Sequence, residues 1–295
     1  MKIIGFIGLG VMGKPMAKNL LKAGSPLIVY DVRSEPVREL TAAGAQAGTS
    51  SKDVAARSDV IITMLPNSPE VKEAVFGSNG VAEGIRSGSI FVDMSSIAPL
   101  ASQEISARLA EKGVRMLDAP VSGGEPKAID GTLAIMVGGP QSTFEGVKDL
   151  LSVMGASVTR VGEIGSGNIT KLANQIIVAL NIAAMSEALV LARKAGVDPE
   201  KVFQAIRGGL AGSTVLEAKV PKVLAGNFQP GFRIELHIKD LTNALNTAHE
   251  LGVPIPLSSQ VMEIMQALKV DGKGPDDHCS IIQFYEKLAR VEVRK

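Results

Sequence analysis

Up to about Gly162 the chain alternates between short apolar runs and longer stretches of helical spacing. Lys2–Ile7 is β-rich and gives way to glycines. In Met12–Lys22, the residues Met16, Ala17, Leu20 and Leu21 recur at the three- and four-residue steps of one helix face. Leu27–Tyr30 is a second apolar run, closed by Asp31, and Pro36–Ala43 reads as helix. Val60–Met64 (ended by Pro66), Ile90–Asp93 and Val114–Leu117 predict the third to fifth strands, with helical stretches such as Ala98–Lys112 between them. Short apolar runs without polar alternation describe strands buried on both faces. Strands that alternate with helices describe βαβ units and a parallel sheet. Leu133–Val137 and Ser157–Val161 are expected to extend that sheet.

The pattern changes after Gly167. Ile169–Lys194 holds neither Pro nor Gly over 26 residues, which predicts one helix ~39 Å long. Gly196–Pro199 breaks it. Val202–Arg207, Val215–Leu224, Ile234–Leu251 and Leu257–Val270 also favour helices, with Pro221 expected to kink or end the second. The expected organisation is an α/β parallel-sheet domain over residues 1–163, then an all-α domain over residues 164–295.

Composition narrows the function classes. Hydrophobic residues make up 45% of 295, enough for sizeable cores, while 31 glycines among few aromatics suit buried aliphatic strands joined by tight turns. Lys plus Arg total 31 and Asp plus Glu 30, a net charge of +1 that gives no basic field for nucleic acid or anionic lipid. The single cysteine, Cys279, excludes an intramolecular disulfide framework and a cysteine metal cluster. It points to a reducing, cytoplasmic location. Apolar runs such as Ile176–Leu180 are interrupted well short of ~18 residues, so no transmembrane helix is expected. His237, His249 and His278 lack metal-ligand spacing, and no metal site is expected.

Gly8-Leu9-Gly10-Val11-Met12-Gly13 follows the first strand and opens a helix. In that context the three glycines serve a tight turn, close approach of backbone to a pyrophosphate, and close strand–helix packing. Asp31 ends the second strand 18 residues past Gly13, where a carboxylate accepts hydrogen bonds from a ribose 2′-hydroxyl and repels a 2′-phosphate. This favours NAD, with NADP possible because Arg33 and Lys52 offer cations nearby. Two further features have chemical and bland readings alike. Lys171 and Asn174 project from one face of the long helix, as a proton donor with an amide helper or as surface residues. Ser122-Gly123-Gly124 follows a strand as a carboxylate-binding nest or an ordinary turn.

Taken together and in this order, GLGVMGKPMAKNL (Gly8–Leu20), DAPVSGG (Asp118–Gly124), GSGNITKLAN (Gly165–Asn174) and KDL (Lys239–Leu241) resemble the β-hydroxyacid dehydrogenase family along essentially the whole chain. The resemblance implies a Rossmann-type domain followed by a helical domain that forms homodimers or homotetramers. It implies NAD(P)-dependent hydride transfer on a small carboxylate-bearing semialdehyde. Lys171 becomes the proton donor, assisted by Asn174. Ser122, Gly123 and Gly124 hold the substrate carboxylate, and Phe232 contacts the substrate. Gly8, Leu9, Gly10, Val11, Met12, Gly13, Asp31, Leu65, Pro66, Ser96 and Lys239 serve the dinucleotide. The shared lysine does not separate family members with different semialdehydes; the region Arg207–Leu216 and Phe232 do, and Ser213 and Thr214 there are compatible with a substrate hydroxyl without establishing it. A dinucleotide sensor without catalysis would be expected to lack Lys171, Asn174 or the nest.

Overall fold

The computed structural model describes residues 2–294. The chain divides into two units, the division falling between Lys171 and Leu172.

The first unit is built on a nine-stranded sheet: β1 (Ile4–Ile7), β2 (Leu27–Tyr30), β3 (Gln46–Ala47), β4 (Val60–Thr63), β5 (Ile90–Asp93), β6 (Arg115–Asp118), β7 (Val121–Ser122), β8 (Leu133–Gly138) and β9 (Gly155–Gly162). Their order is β3-β2-β1-β4-β5-β6-β8-β7, with β9 against β8. The first six strands are parallel. Successive residues feed separate cores on the two faces. Val60 and Ile62 pack with Phe6 and Val92 on one, and Ile61 packs with Ile7 and Phe91 on the other. This burial explains why the strands read as uninterrupted apolar runs.

The sheet is mixed at one side. β8 runs antiparallel to β6 and β7, and β9 parallel to β8. Between β6 and β8 the chain makes only β7 and the seven-residue helix Gly124–Asp130. That helix is about 10 Å long, and β7 and β8 pair as neighbours across it, so the chain turns back instead of crossing over.

The second unit is helical: the greater part of Ser166–Lys194, then Pro199–Ile206, Thr214–Leu224, Ile234–Glu250, Pro256–Leu268 and Ile282–Ala289. The helix Thr214–Leu224 runs past Pro221, whose carbonyl still accepts Ala225 N–H at 3.1 Å; only one turn remains beyond it. Ser166–Lys194 is long and apolar enough to cross a membrane by length and composition alone. One face of it packs in the core of the helical unit: Ala179, Ile182, Met185 and Leu189 with Val220, Leu241 and Met265.

Candidate functional site

The strand order places a crevice where connections leave β1 and β4 in opposite directions, the position at which doubly wound sheets bind ligands. The glycine turn lies there, and each glycine meets a distinct demand. Gly8 has φ +93°, and a Cβ on it would stand 2.4 Å from Met64 O. A Cβ on Gly13 would stand 2.0 Å from Gly8 O, so strand and helix approach only without one. Gly10 faces open space, with nothing within 4 Å. The helix Gly13–Lys22 begins here; Pro15 in its first turn has no N–H, and the Lys14 and Met16 N–H groups donate to Gly10 O at 3.1 Å and Met12 O at 3.3 Å. One open glycine between two crowded ones is the arrangement that a dinucleotide pyrophosphate requires.

Asp31 does more than border the crevice. Its Oδ2 accepts Leu9 N–H at 2.7 Å and its Oδ1 accepts Arg33 N–H at 2.9 Å. The carboxylate that reads as a ribose selector therefore also fixes the glycine turn. The adjoining loop is tied by Ser95, whose Oγ accepts Leu65 N–H at 2.9 Å and whose own N–H donates to Asp93 Oδ1 at 3.1 Å. Leu65 also lies against Gly8, so the turn and the Leu65-Pro66 loop are neighbours. Ser96 follows on the loop after β5.

Ser122 closes β7, and Gly123 (φ +142°) and Gly124 (φ +71°) lead into Gly124–Asp130. Both glycines hold backbone that a side-chain-bearing residue rarely adopts. Lys171 is buried, 7% exposed, in the second turn of the long helix.

In the helical unit, Asn174 Nδ2 donates to Gln175 Oε1 at 2.8 Å, and Gln175 Nε2 donates to Asp240 Oδ2. Asp240 Oδ1 pairs with Lys239 Nζ at 2.8 Å. Asn174 and Lys239, 65 positions apart, thus stand on one polar chain through Gln175, which follows the GSGNITKLAN stretch, and Asp240, the middle residue of KDL. Phe232 packs edge-on to His237 and His278. Those imidazoles share a 2.9 Å Nδ1···Nδ1 contact, and His237 Nε2 lies 3.2 Å from the Gln175 carbonyl. A carbonyl only accepts, so His237 Nε2 donates and its Nδ1 accepts from His278. Burial holds His278 well below the usual imidazole range, which keeps it neutral. Asp277 then fixes Phe232's segment, accepting Gly231 N–H at 2.8 Å and Lys219 Nζ at 2.9 Å. Ser213 Oγ is engaged in capping Thr214–Leu224, accepting Leu216 N–H at 3.0 Å. Cys279 is buried, and burial pushes its thiol up. No group of three metal-ligating side chains occurs among the described residues.

Fold and turn define a dinucleotide-binding protein. Residues 3–162 match the family model for the NAD-binding domain of 6-phosphogluconate dehydrogenase. Residues 165–285 match the model described as NAD-binding of NADP-dependent 3-hydroxyisobutyrate dehydrogenase. The chain belongs to the β-hydroxyacid dehydrogenase family of NAD(P)-dependent oxidoreductases. It is 45% identical to 2-hydroxy-3-oxopropionate reductase of Escherichia coli K12, over 97% of this chain and 98% of that one. It is 40% identical to 2-(hydroxymethyl)glutarate dehydrogenase of Eubacterium barkeri, over 98% and 97%. Among solved structures, 3-hydroxyisobutyrate dehydrogenase of Mycobacterium tuberculosis with L-serine superposes with a TM-score of 0.89 at 32% identity, over 97% of this chain and 99% of that one.

Proposed function

We propose that the protein reduces 2-hydroxy-3-oxopropanoate (tartronate semialdehyde) to D-glycerate, with Lys171 as general acid. The observation that carries this reading is the 45% identity, over nearly both full chains, to a reductase of that name. It is joined to a lysine, an asparagine and a glycine nest in the family's order. When bound, the reduced nicotinamide ring supplies the hydride. The chain's own residues do the rest. The Gly8–Gly13 turn and the loops holding Leu65, Pro66 and Ser96 bind the dinucleotide, and Asp31 favours NAD over NADP. Ser122, Gly123 and Gly124 offer hydroxyl and backbone amides to the substrate carboxylate. Lys171 meets the aldehyde oxygen as negative charge builds there, stabilises it and gives it a proton. Asn174, on the same helix face, orients that oxygen. Phe232 and Lys239 keep the substrate and dinucleotide contacts that the family resemblance implies.

An ammonium suits reduction, whereas oxidation of the alcohol needs the neutral amine, so reduction is the direction this reading assigns. The location is cytoplasmic, in keeping with the one buried thiol. Assembly is a homodimer or homotetramer through the helical unit. Support for this comes from Ser166–Lys194, whose Ala173, Ile177, Ala184, Ala188 and Leu191 form an exposed apolar stripe at helical spacing.

Replacing Lys171 tests the assignment. Lys171→Ala is expected to lower kcat by roughly 10²–10⁴, with NADH affinity, read by fluorescence titration, unchanged. Wild-type turnover in that variant would remove the proton donor from the scheme.

A further inference from the structure

The start of the long helix is fastened by a carboxylate from far upstream. Asp118 closes β6 and is fully buried. Its Oδ1 accepts Gly165 N–H at 2.8 Å, and its Oδ2 accepts Asn168 N–H at 2.7 Å. Asn168, also fully buried, extends the fastening to the loop after β5. Its Oδ1 accepts Ile97 N–H at 3.1 Å, and its Nδ2 donates to Ser102 Oγ at 3.1 Å. Two glycines make room. A Cβ on Gly167 would stand 2.5 Å from both Asp118 O and Met136 O, and one on Gly138 would stand 2.3 Å from Asp118 Oδ1.

A buried carboxylate is costly to desolvate, and here it is spent on holding the backbone of one helical turn. Lys171 follows Asn168 by three residues, on the next turn of the same helix. We infer that Asp118 and Asn168 are positioning residues for Lys171. They fix the rotation and depth of the helix start, and through it the place of an amine at the end of a long, flexible stem. Proton delivery works only within hydrogen-bond reach, so a small rotation of this turn moves Nζ out of range. The same Asn168 holds Ile97 beside Ser96, so the lysine and the loop assigned to the dinucleotide are set by one node. The inference rests on Lys171 being the proton donor.

A double-mutant cycle separates positioning from general structural support. Asp118→Asn is made in the wild-type and the Lys171→Ala backgrounds, and single-turnover rates are measured with NADH and the semialdehyde. With Lys171 present, Asp118→Asn is expected to slow turnover roughly 10- to 100-fold, with NADH affinity within about threefold of wild type. Without Lys171, the same change is expected to cost less than about twofold, because its effect runs through a side chain already gone. Equal losses in both backgrounds, or no loss in either, overturn the inference while leaving the lysine's role intact. Wild-type rates in Lys171→Ala alone overturn the lysine's role and the inference with it. Asn168→Ala spares the carboxylate and is read in the same cycle, so the coupling is decided by whichever variant keeps the wild-type circular dichroism spectrum.

Discussion

Asp93 sits at the end of β5 in register with Thr63 on one side and Asp118 on the other, three polar residues in a row across the sheet. All three are fully buried. Asp93 Oδ1 accepts Thr63 Oγ1–H at 2.8 Å as well as Ser95 N–H, while Oδ2 meets no donor among the described residues. Burial, with Asp118 adding to it, raises Asp93 to about 6 against these hydrogen bonds. Between about pH 4 and 6 the folded chain therefore keeps a proton that the unfolded chain has lost. Stability from this group is full at low pH, falls as pH rises through that window and is lost above it, by on the order of 2–3 kcal/mol. Asp93→Asn retains the Oδ1 acceptor without the charge. Its melting temperature relative to wild type is expected to climb from pH 4 to pH 6.5 and then level off. A difference independent of pH in calorimetry would show that Asp93 is not protonated in the fold.

At the scale of elements, Ser166–Lys194 joins the helix start that Asp118 fastens to the core of the helical unit. Its exposed stripe continues past the residues that its own unit buries. Ile177 is 60% and Leu191 72% exposed, large apolar surfaces for a helix that otherwise packs well. Ile177→Glu with Leu191→Glu is expected to shift sedimentation to the monomer while leaving helical circular dichroism unchanged. A wild type that sediments as a monomer, or a variant that keeps its assembly, contradicts an interface on this face. The helix itself was legible because 26 residues without Pro or Gly admit little else. The central strands were legible because burial on both faces leaves unbroken apolar runs. The direction of β8 was not, since a short turnback and a crossover look alike in apolar pattern. The helix Gly124–Asp130 was hidden as well, its seven residues too few to show a period.

At the scale of the whole molecule, the sequence displays motif residues and hides which of them hold one another. Gly8, Gly10 and Gly13 are visible because their spacing is local. Asp118 and Asn168, 50 residues apart, meet only in the folded chain, as do Gln175 and Asp240, 65 apart. Gly167 shows the difference within one residue. It belongs to a motif that leads to Lys171, yet it makes way for Asp118 and Met136 of the same chain. Ser213 moves the other way: its hydroxyl suits a polar substrate by composition, but it caps a helix. Choice among short semialdehydes therefore has to be measured. The most direct measurement is kcat/KM at pH 7 for 2-hydroxy-3-oxopropanoate and methylmalonate semialdehyde, each with NADH and with NADPH. The substrates differ where one carries a hydroxyl and the other a methyl, a contrast that a polar subsite magnifies. At least a tenfold preference for 2-hydroxy-3-oxopropanoate is expected, with NADH ahead of NADPH; equal or reversed preference for methylmalonate semialdehyde would rule out the proposed substrate.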